Sequence, residues 1–231
     1  MLVAVIGLLA QLQSFAPHAG RTALAGAWRF HAGDDTAWAQ AAFDDGAWDT
    51  VTVPAVWRGA GRPSYRGFGW YRLHLDVKSP MAEPLGLWFR SVATAFAVYV
   101  DGRKVGVVGG FPPDYRPRTV VPLIAAFPPA SQAPGLHVIA VRVYSDERVG
   151  GITSPVWVGP IQALQREAMR PDLYLLAAAV LLLGIGLMQI FFWLRRPYAK
   201  EHGAIFGVCL SLAMFFVCWM PTVRVALEPQ V

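Results

Sequence analysis

Along YRLHLDV the residues Tyr71, Leu73, Leu75 and Val77 fall on one side of an extended backbone, and Arg72, His74 and Asp76 fall on the other. That period of two is the pattern of a strand with one buried face. LHVIAVRVY repeats it, bringing Ile139, Val141 and Val143 together. In AFAVYV-DG-RKVGVV two apolar runs flank Asp101-Gly102, and an Asp-Gly pair in this setting specifies a tight hairpin because both turn positions require φ > 0. AWRF, TVTVP, LGLWFR, RTVVPL and VWVGPIQAL are further candidate strands. About nine short strands with no soluble amphipathic helix predict an all-β sandwich or jelly roll over residues 20–165.

Beyond that region the pattern changes. Residues 173–194 carry no charge and would form a helix about 33 Å long, enough to cross a hydrocarbon core of about 30 Å. A second uncharged run, residues 203–223, predicts another span that Pro221 ends or kinks. The short loop RRPYAKEH joins the two spans, so they should form an antiparallel hairpin. GAIFG has the Gly-x-x-x-Gly spacing that allows close helix approach, and chance accounts for it equally well. The polar stretch 162–172 leads into the first span with little slack, which suits transmission of a movement. Residues 1–19 have an apolar centre and small residues near Ala16 and Ala19, as an export signal does, but no Lys or Arg precedes the centre. An uncleaved anchor and a start codon placed too late are the alternatives.

Composition sharpens this division. A chain of 231 residues that is 55% hydrophobic and only 15% charged is too apolar for an ordinary soluble protein. The net charge of +5 is not gathered into a basic run, so nucleic acid is not an expected partner. Both cysteines, Cys209 and Cys218, lie in the second span on roughly opposite helix faces, and the β region needs no disulfide.

Catalytic chemistry finds little support. Glycoside hydrolysis needs two carboxyl groups about 5–9.5 Å apart across a sugar site. The pairs Asp34-Asp35 and Asp44-Asp45 sit beside small residues, where turn chemistry and solvation explain them. The sequence holds no HExxH, CxxC, phosphate-binding loop or GxSxG, and its five histidines have no metal-ligand spacing; no cofactor and no metal are expected. Trp28, Tyr71, Trp88 and Phe96 sit in strand patterns and read as core. By contrast, Trp57, Tyr65, Phe68, Phe111 and Tyr115 fall in loops beside Arg58, Arg66 and Arg116. An aromatic plate beside a guanidinium can hold a sugar ring or an acidic ligand. Trp57, Tyr65, Arg66, Phe68, Phe111 and Tyr115 are therefore the candidate ligand-binding residues, with folding of loop aromatics over the core as the competing role.

The ordered series GAWRF, AFDDGAWDTVTVPAVW, YRGFGWYRLHLDV, LWFRSVATAFAVYVDGRKVG and HVIAVRV resembles the galactose-binding-like jelly roll at the amino end of family-two glycoside hydrolases. In those enzymes the catalytic glutamates sit on a separate barrel, to which nothing here corresponds. A β domain of this kind followed by membrane spans resembles bacterial seven-transmembrane receptors with diverse intracellular signalling modules, of which this chain would hold the outer domain and the first two spans. The resemblance implies a periplasmic or extracellular module that senses a carbohydrate-like or other small ligand. It would be anchored in the inner or plasma membrane in contact with lipid, and would work through a cytoplasmic signalling domain or partner, without catalysis of its own. The alternative is a truncated glycosidase or the carbohydrate-binding subunit of one.

Overall fold

The computed structural model describes residues 12–15, 20–58, 61–62, 64–79, 83–118, 121–147, 150–195 and 200–223. The chain divides into two compact units, Met1–Gln165 and Arg166–Val231. In chain order the described strands are β1 (Leu12–Phe15), β2 (Thr22–Ala23), β3 (Gly26–Ala32), β4 (Asp49–Val53), β5 (Ala55–Val56), β6 (Gly67–Val77) and β7 (Leu85–Phe89). They continue as β8 (Val92–Ala93), β9 (Ala95–Val100), β10 (Arg103–Val108), β11 (Leu123–Ala126), β12 (Gly135–Ser145), β13 (Gly151–Ile152) and β14 (Val156–Pro160). A seven-stranded sheet runs β10-β9-β12-β6-β3-β4, with β1 parallel to the far half of β6; a four-stranded sheet runs β11-β7-β14-β2; a small third sheet joins β5, β13 and β8.

The sandwich closes because the alternating positions do what their period predicts. Leu73, Leu75 and Val77 of β6, Ile139, Val141 and Val143 of β12, and Phe96, Val98 and Val100 of β9 turn to one side of the large sheet. There they meet Leu85, Leu87 and Phe89 of β7 and Val156 and Val158 of β14. Burial of this kind contributes about 1.5–3 kcal/mol per large apolar side chain. Trp28, Tyr71 and Phe96 belong to this core as expected. Asp101 (φ +49°) and Gly102 (φ +82°) make the tight turn between β9 and β10. The Asp101 carboxylate fastens that turn to β12, accepting the Val138 N–H at 2.8 Å.

Several expectations need correction. Trp88 is buried as expected, but not among the side chains packed between the sheets. It stands opposite Trp157 of β14 and Ile124 of β11, on the outer side of the four-stranded sheet, because the unbroken apolar run LGLWF gives no periodicity to tell one side from the other. The strand expected in RTVVPL begins only at Leu123, and residues 119–120 lie outside the described residues. VWVGPIQAL is strand only to Pro160, after which Ile161 starts a helix. The described strands number fourteen rather than about nine, because short two-residue pairings carry no sequence period. Two 3-10 turns, Thr36–Ala39 and Pro129–Ser131, interrupt the β text. Residues 12–15 pair as β1 with residues 74–77 of β6; the rest of the stretch 1–19, where an export signal is expected, lies outside the described residues.

The helical part consists of Ile161–Arg195, with Pro171 inside it, and Lys200–Trp219. Both helices are long and apolar enough to cross a membrane. Their large apolar side chains, among them Leu181, Leu187, Leu194, Val208, Met214 and Trp219, are mostly exposed, unlike those of a helix in a soluble core. The second helix ends before Pro221, as its missing N–H and fixed ring require. Close approach is made not by the GAIFG glycines but by Gly186, where an added Cβ would stand 3.2 Å from the Phe206 ring and 3.3 Å from Cys209; Gly207 has open space instead. Both cysteines are free.

Candidate ligand-binding site

The loops that follow β3, β5, β7, β10 and β12 gather at one end of the sandwich, because those strands all arrive there in register. Strand β14 starts at this end and runs away from it toward Ile161. The six residues nominated from sequence all belong to these loops or their borders, but they separate into two groups.

Trp57 and Tyr65 fold inward. Trp57 is 1% exposed, its indole N–H donates to the Tyr71 hydroxyl at 2.8 Å, and its backbone N–H donates to Gly150 C=O at 2.8 Å. Gly150 and Gly69 make room for it: a Cβ at Gly150 would lie 2.1 Å from the Trp57 ring, and one at Gly69 would lie 2.8 Å from Phe30 and 3.1 Å from Trp57. Tyr65 stands edge-on to Trp57, with ring centroids 5.0 Å apart, and its hydroxyl donates to the Phe68 carbonyl. Burial pushes the Tyr65 and Tyr71 hydroxyls above the ordinary phenol range. These two residues cap the core.

Phe68, Phe111 and Tyr115 come together at the surface. Phe68 starts β6, and Phe111 comes back over it from the loop after β10, which is pinched by the Gly110–Arg116 bridge. Their rings stack with centroids 5.9 Å apart, and Phe68 also packs on Tyr144 at 4.6 Å. Over both phenylalanines lies the Arg142 guanidinium, 4.5 Å from one ring centre and 4.2 Å from the other. Its Nε donates to Asp34 Oδ1 at 2.6 Å and its Nη2 to Oδ2, a two-pronged pair that fixes the guanidinium plane. Tyr115 packs edge-on to Tyr144, with centroids 4.8 Å apart, and donates to Asp146 Oδ1 at 2.9 Å. Burial and the Asp146 carboxylate raise the Tyr115 hydroxyl above its ordinary range, against the Thr94 hydrogen bond that lowers it. Arg66 is exposed.

Sequence reasoning missed Arg142, Tyr144, Asp34 and Thr94. Arg142 and Tyr144 follow from the outward parity of β12, since they alternate with Val141 and Val143; Asp34 and Thr94 join through long-range contacts that leave no local signal. Asp44 behaves as expected, its Oδ1 accepting the Gly46 N–H at 2.9 Å. Asp45 does not, because it is 4% exposed. It takes Arg72 Nε at 2.8 Å and lies 3.0 Å from His74 Nε2. Arg72, fully buried, also donates to the carbonyls of Trp38, Gln40 and Phe43. The face of β6 read as polar is thus closed by the segment after β3. Burial by itself would raise the Asp45 carboxyl, but the hydrogen bonds and charges of His74 and Arg72 hold it below the ordinary carboxylate range.

Among the described residues no group of three or more His, Cys, Asp or Glu side chains could hold a metal ion. What the surface cluster offers is binding: aromatic faces for the C–H face of a ring, a held guanidinium, and a tyrosine hydroxyl between Thr94 and Asp146.

No protein-family model matches the chain, and no curated protein matches it. Among solved structures, a calcium-binding mutant of Bacteroides uniformis β-glucuronidase 2 aligns with a TM-score of 0.50 and 23% identity, over 60% of this chain and 17% of its own. A family 2 glycosyl hydrolase from Bacteroides cellulosilyticus DSM 14838 aligns at 0.50 and 18%, over 60% of this chain and 20% of its own. The likeness is one of fold, and the match occupies a fifth or less of the length of these enzymes.

Proposed function

We propose that this chain is the ligand-sensing part of a membrane-anchored signalling receptor, and that its β sandwich, outside the cytoplasm, binds a carbohydrate-like small molecule without transforming it. The observation that carries this reading is the cluster of Phe68, Phe111, Tyr115, Tyr144 and Arg142 at the loop end of a glycosidase-like sandwich. A stacked aromatic pair beside fixed polar groups is the general chemistry of sugar recognition. The helix that follows β14 is long and apolar enough to cross a membrane, which supports anchoring there. The aligned hydrolases have most of their length outside the matched segment, which supports binding rather than turnover.

The test uses the full chain in detergent. Neutral mono- and disaccharides are titrated while the unfolding midpoint is followed, since a ligand at 100 times its Kd stabilises the fold by about 2.7 kcal/mol. The expected result is stabilisation by at least one sugar that disappears in Phe111→Ala, with no product released from aryl glycosides. No shift with any sugar, or turnover abolished by Asp44→Asn, would overturn the reading. Sidedness has its own test: a reporter active only outside the cytoplasm should work when fused after Gln165 and fail after Lys200. Arg195, Arg196 and Lys200 outnumber Arg166 and Arg170 across the first span in the sense the positive-inside rule requires.

A further inference from the structure

The helical unit carries a cavity of its own, where the first helix finishes and the second begins. It measures about 540 Å³, and among the described residues Phe191, Phe192, Arg195 and His202 line it. Phe191 and Arg195 are four residues apart and so share a helix face, which lays the Arg195 guanidinium 5.0 Å from the Phe191 ring centre. His202 comes from the first turn of the second helix, its ring centre 5.9 Å from that of Phe192. Its Nδ1 stands 2.6 Å from Gln189 Oε1 and donates to it, which leaves Nε2 as the ring nitrogen open to a ligand.

Three observations give this cavity a charge preference and a depth. Arg195 makes no ion pair to any described residue beyond its contact with Phe191. Glu201, the acidic residue in the first turn of the second helix, is exposed and does not line the cavity. The run 173–194 carries no charge, and Phe192 and Trp193, near its end, are 44% and 43% exposed. An uncharged run of that length fills the hydrocarbon core, and a tryptophan followed by an arginine marks its boundary with the headgroups. Arg195 and His202 therefore stand at the level of lipid phosphates, which favours a lipid over a soluble anion.

We infer that this cavity binds the phosphate headgroup of an anionic glycerophospholipid. The planar fork of Arg195 takes two phosphate oxygens, and His202, protonated on Nε2 beside the anion, donates to a third. The acyl chains continue over the exposed apolar surface of the first helix. Basic pockets between spanning helices hold anionic headgroups in this way. The inference rests on these helices lying in a bilayer, and is independent of the sugar site and of the side on which the sandwich lies.

The test is native mass spectrometry of the detergent-solubilised full chain, titrated with dioleoylphosphatidylglycerol, with dioleoylphosphatidylcholine as the zwitterionic lipid and inorganic phosphate as the soluble anion. Saturable retention of one phosphatidylglycerol per chain is expected, with phosphatidylcholine about tenfold weaker and no displacement by an equal concentration of phosphate. Arg195→Gln and His202→Gln should each weaken retention about tenfold, the loss of one hydrogen bond to a charged group. Arg170→Gln, which removes the same charge from the other end of the helix, should leave retention unchanged. Arg195 is exposed, so the helical circular dichroism of Arg195→Gln should match the parent and exclude misfolding as the cause. Absence of saturable retention, equal retention of phosphatidylcholine, an equal loss in Arg170→Gln, or full retention in both Arg195→Gln and His202→Gln would overturn the site. Displacement by inorganic phosphate would overturn the lipid and assign the cavity to a soluble anion.

Discussion

The two outer faces of the sandwich use the same residue types in different ways. On the seven-stranded sheet Arg72 is paired with Asp45 and Arg142 with Asp34, while Arg29, opposite Arg72, donates to the Trp48 carbonyl instead. On the four-stranded sheet Arg90 rests on Trp88 without an ion pair to any described residue. The first arrangement satisfies itself and holds polypeptide in place, since Arg72 ties the segment containing Trp38, Gln40 and Phe43 down onto the sheet. The second leaves the Arg90 guanidinium and the Trp88 indole N–H unpaired among the described residues. An aromatic–arginine pair is therefore not by itself a binding signature; the presence or absence of the countercharge decides its role.

The contrast breaks most severely at Arg72. Arg72→Met leaves the Asp45 carboxylate buried beside His74 alone, which costs about 3–5 kcal/mol; denaturant unfolding followed by tryptophan fluorescence should record it, and adding Asp45→Asn should recover part of the loss. Acid attacks the same point. Asp45 and Asp101 both lie below the ordinary value of 3.8 when folded: burial would raise them, but hydrogen bonds outweigh it, from His74 and Arg72 for Asp45, and from Ser131, the Val138 N–H and His137 for Asp101. A depressed folded value means that the stabilisation is complete above the unfolded value and is lost as pH falls through the folded one. Unfolding midpoints should therefore fall steeply below about pH 4, where unfolded carboxyls begin to take protons, and the slope should be shallower in Asp45→Asn. A smaller effect is expected at the half-exposed pair, where Arg142→Gln should cost about 1 kcal/mol and speed proteolysis within residues 109–118. The smallest is Arg90→Gln, with a stability change within about 0.5 kcal/mol. A large loss there would place Arg90 among the structural arginines and erase the difference between the faces.

What sequence could reveal followed from periodicity. Leu73, Leu75, Ile139 and Val141 alternate, so their shared buried side was legible, and Asp101-Gly102 announced its hairpin. The apolar helices were legible from length and charge alone, although the start at Ile161 was not, because IQAL continues a strand-like run of apolar residues. The polar side of β6 misled for a physical reason. Arg72 occupies an outward position, which alternation assigns to water, and only a segment nearly thirty residues earlier in the chain covers it. Half of the candidate site was open to the same reasoning: Phe68, Phe111 and Tyr115 were nominated as loop aromatics, and Phe68 meets Phe111 directly and Tyr115 through Tyr144. Trp57 has identical local credentials, but its destination is set by space that two distant glycines leave and by a hydroxyl on β6.

That space has a consequence for how the sequence can drift. Any side chain at position 150 would occupy the volume of the Trp57 indole, since even a Cβ would stand 2.1 Å from its ring atoms. The two positions are thus one heritable unit, ninety-odd residues apart. Among descendants of this chain, a larger residue at 150 should coincide with a smaller one at 57, and a tryptophan retained at 57 should coincide with glycine at 150, whatever ligand the neighbouring loops come to prefer.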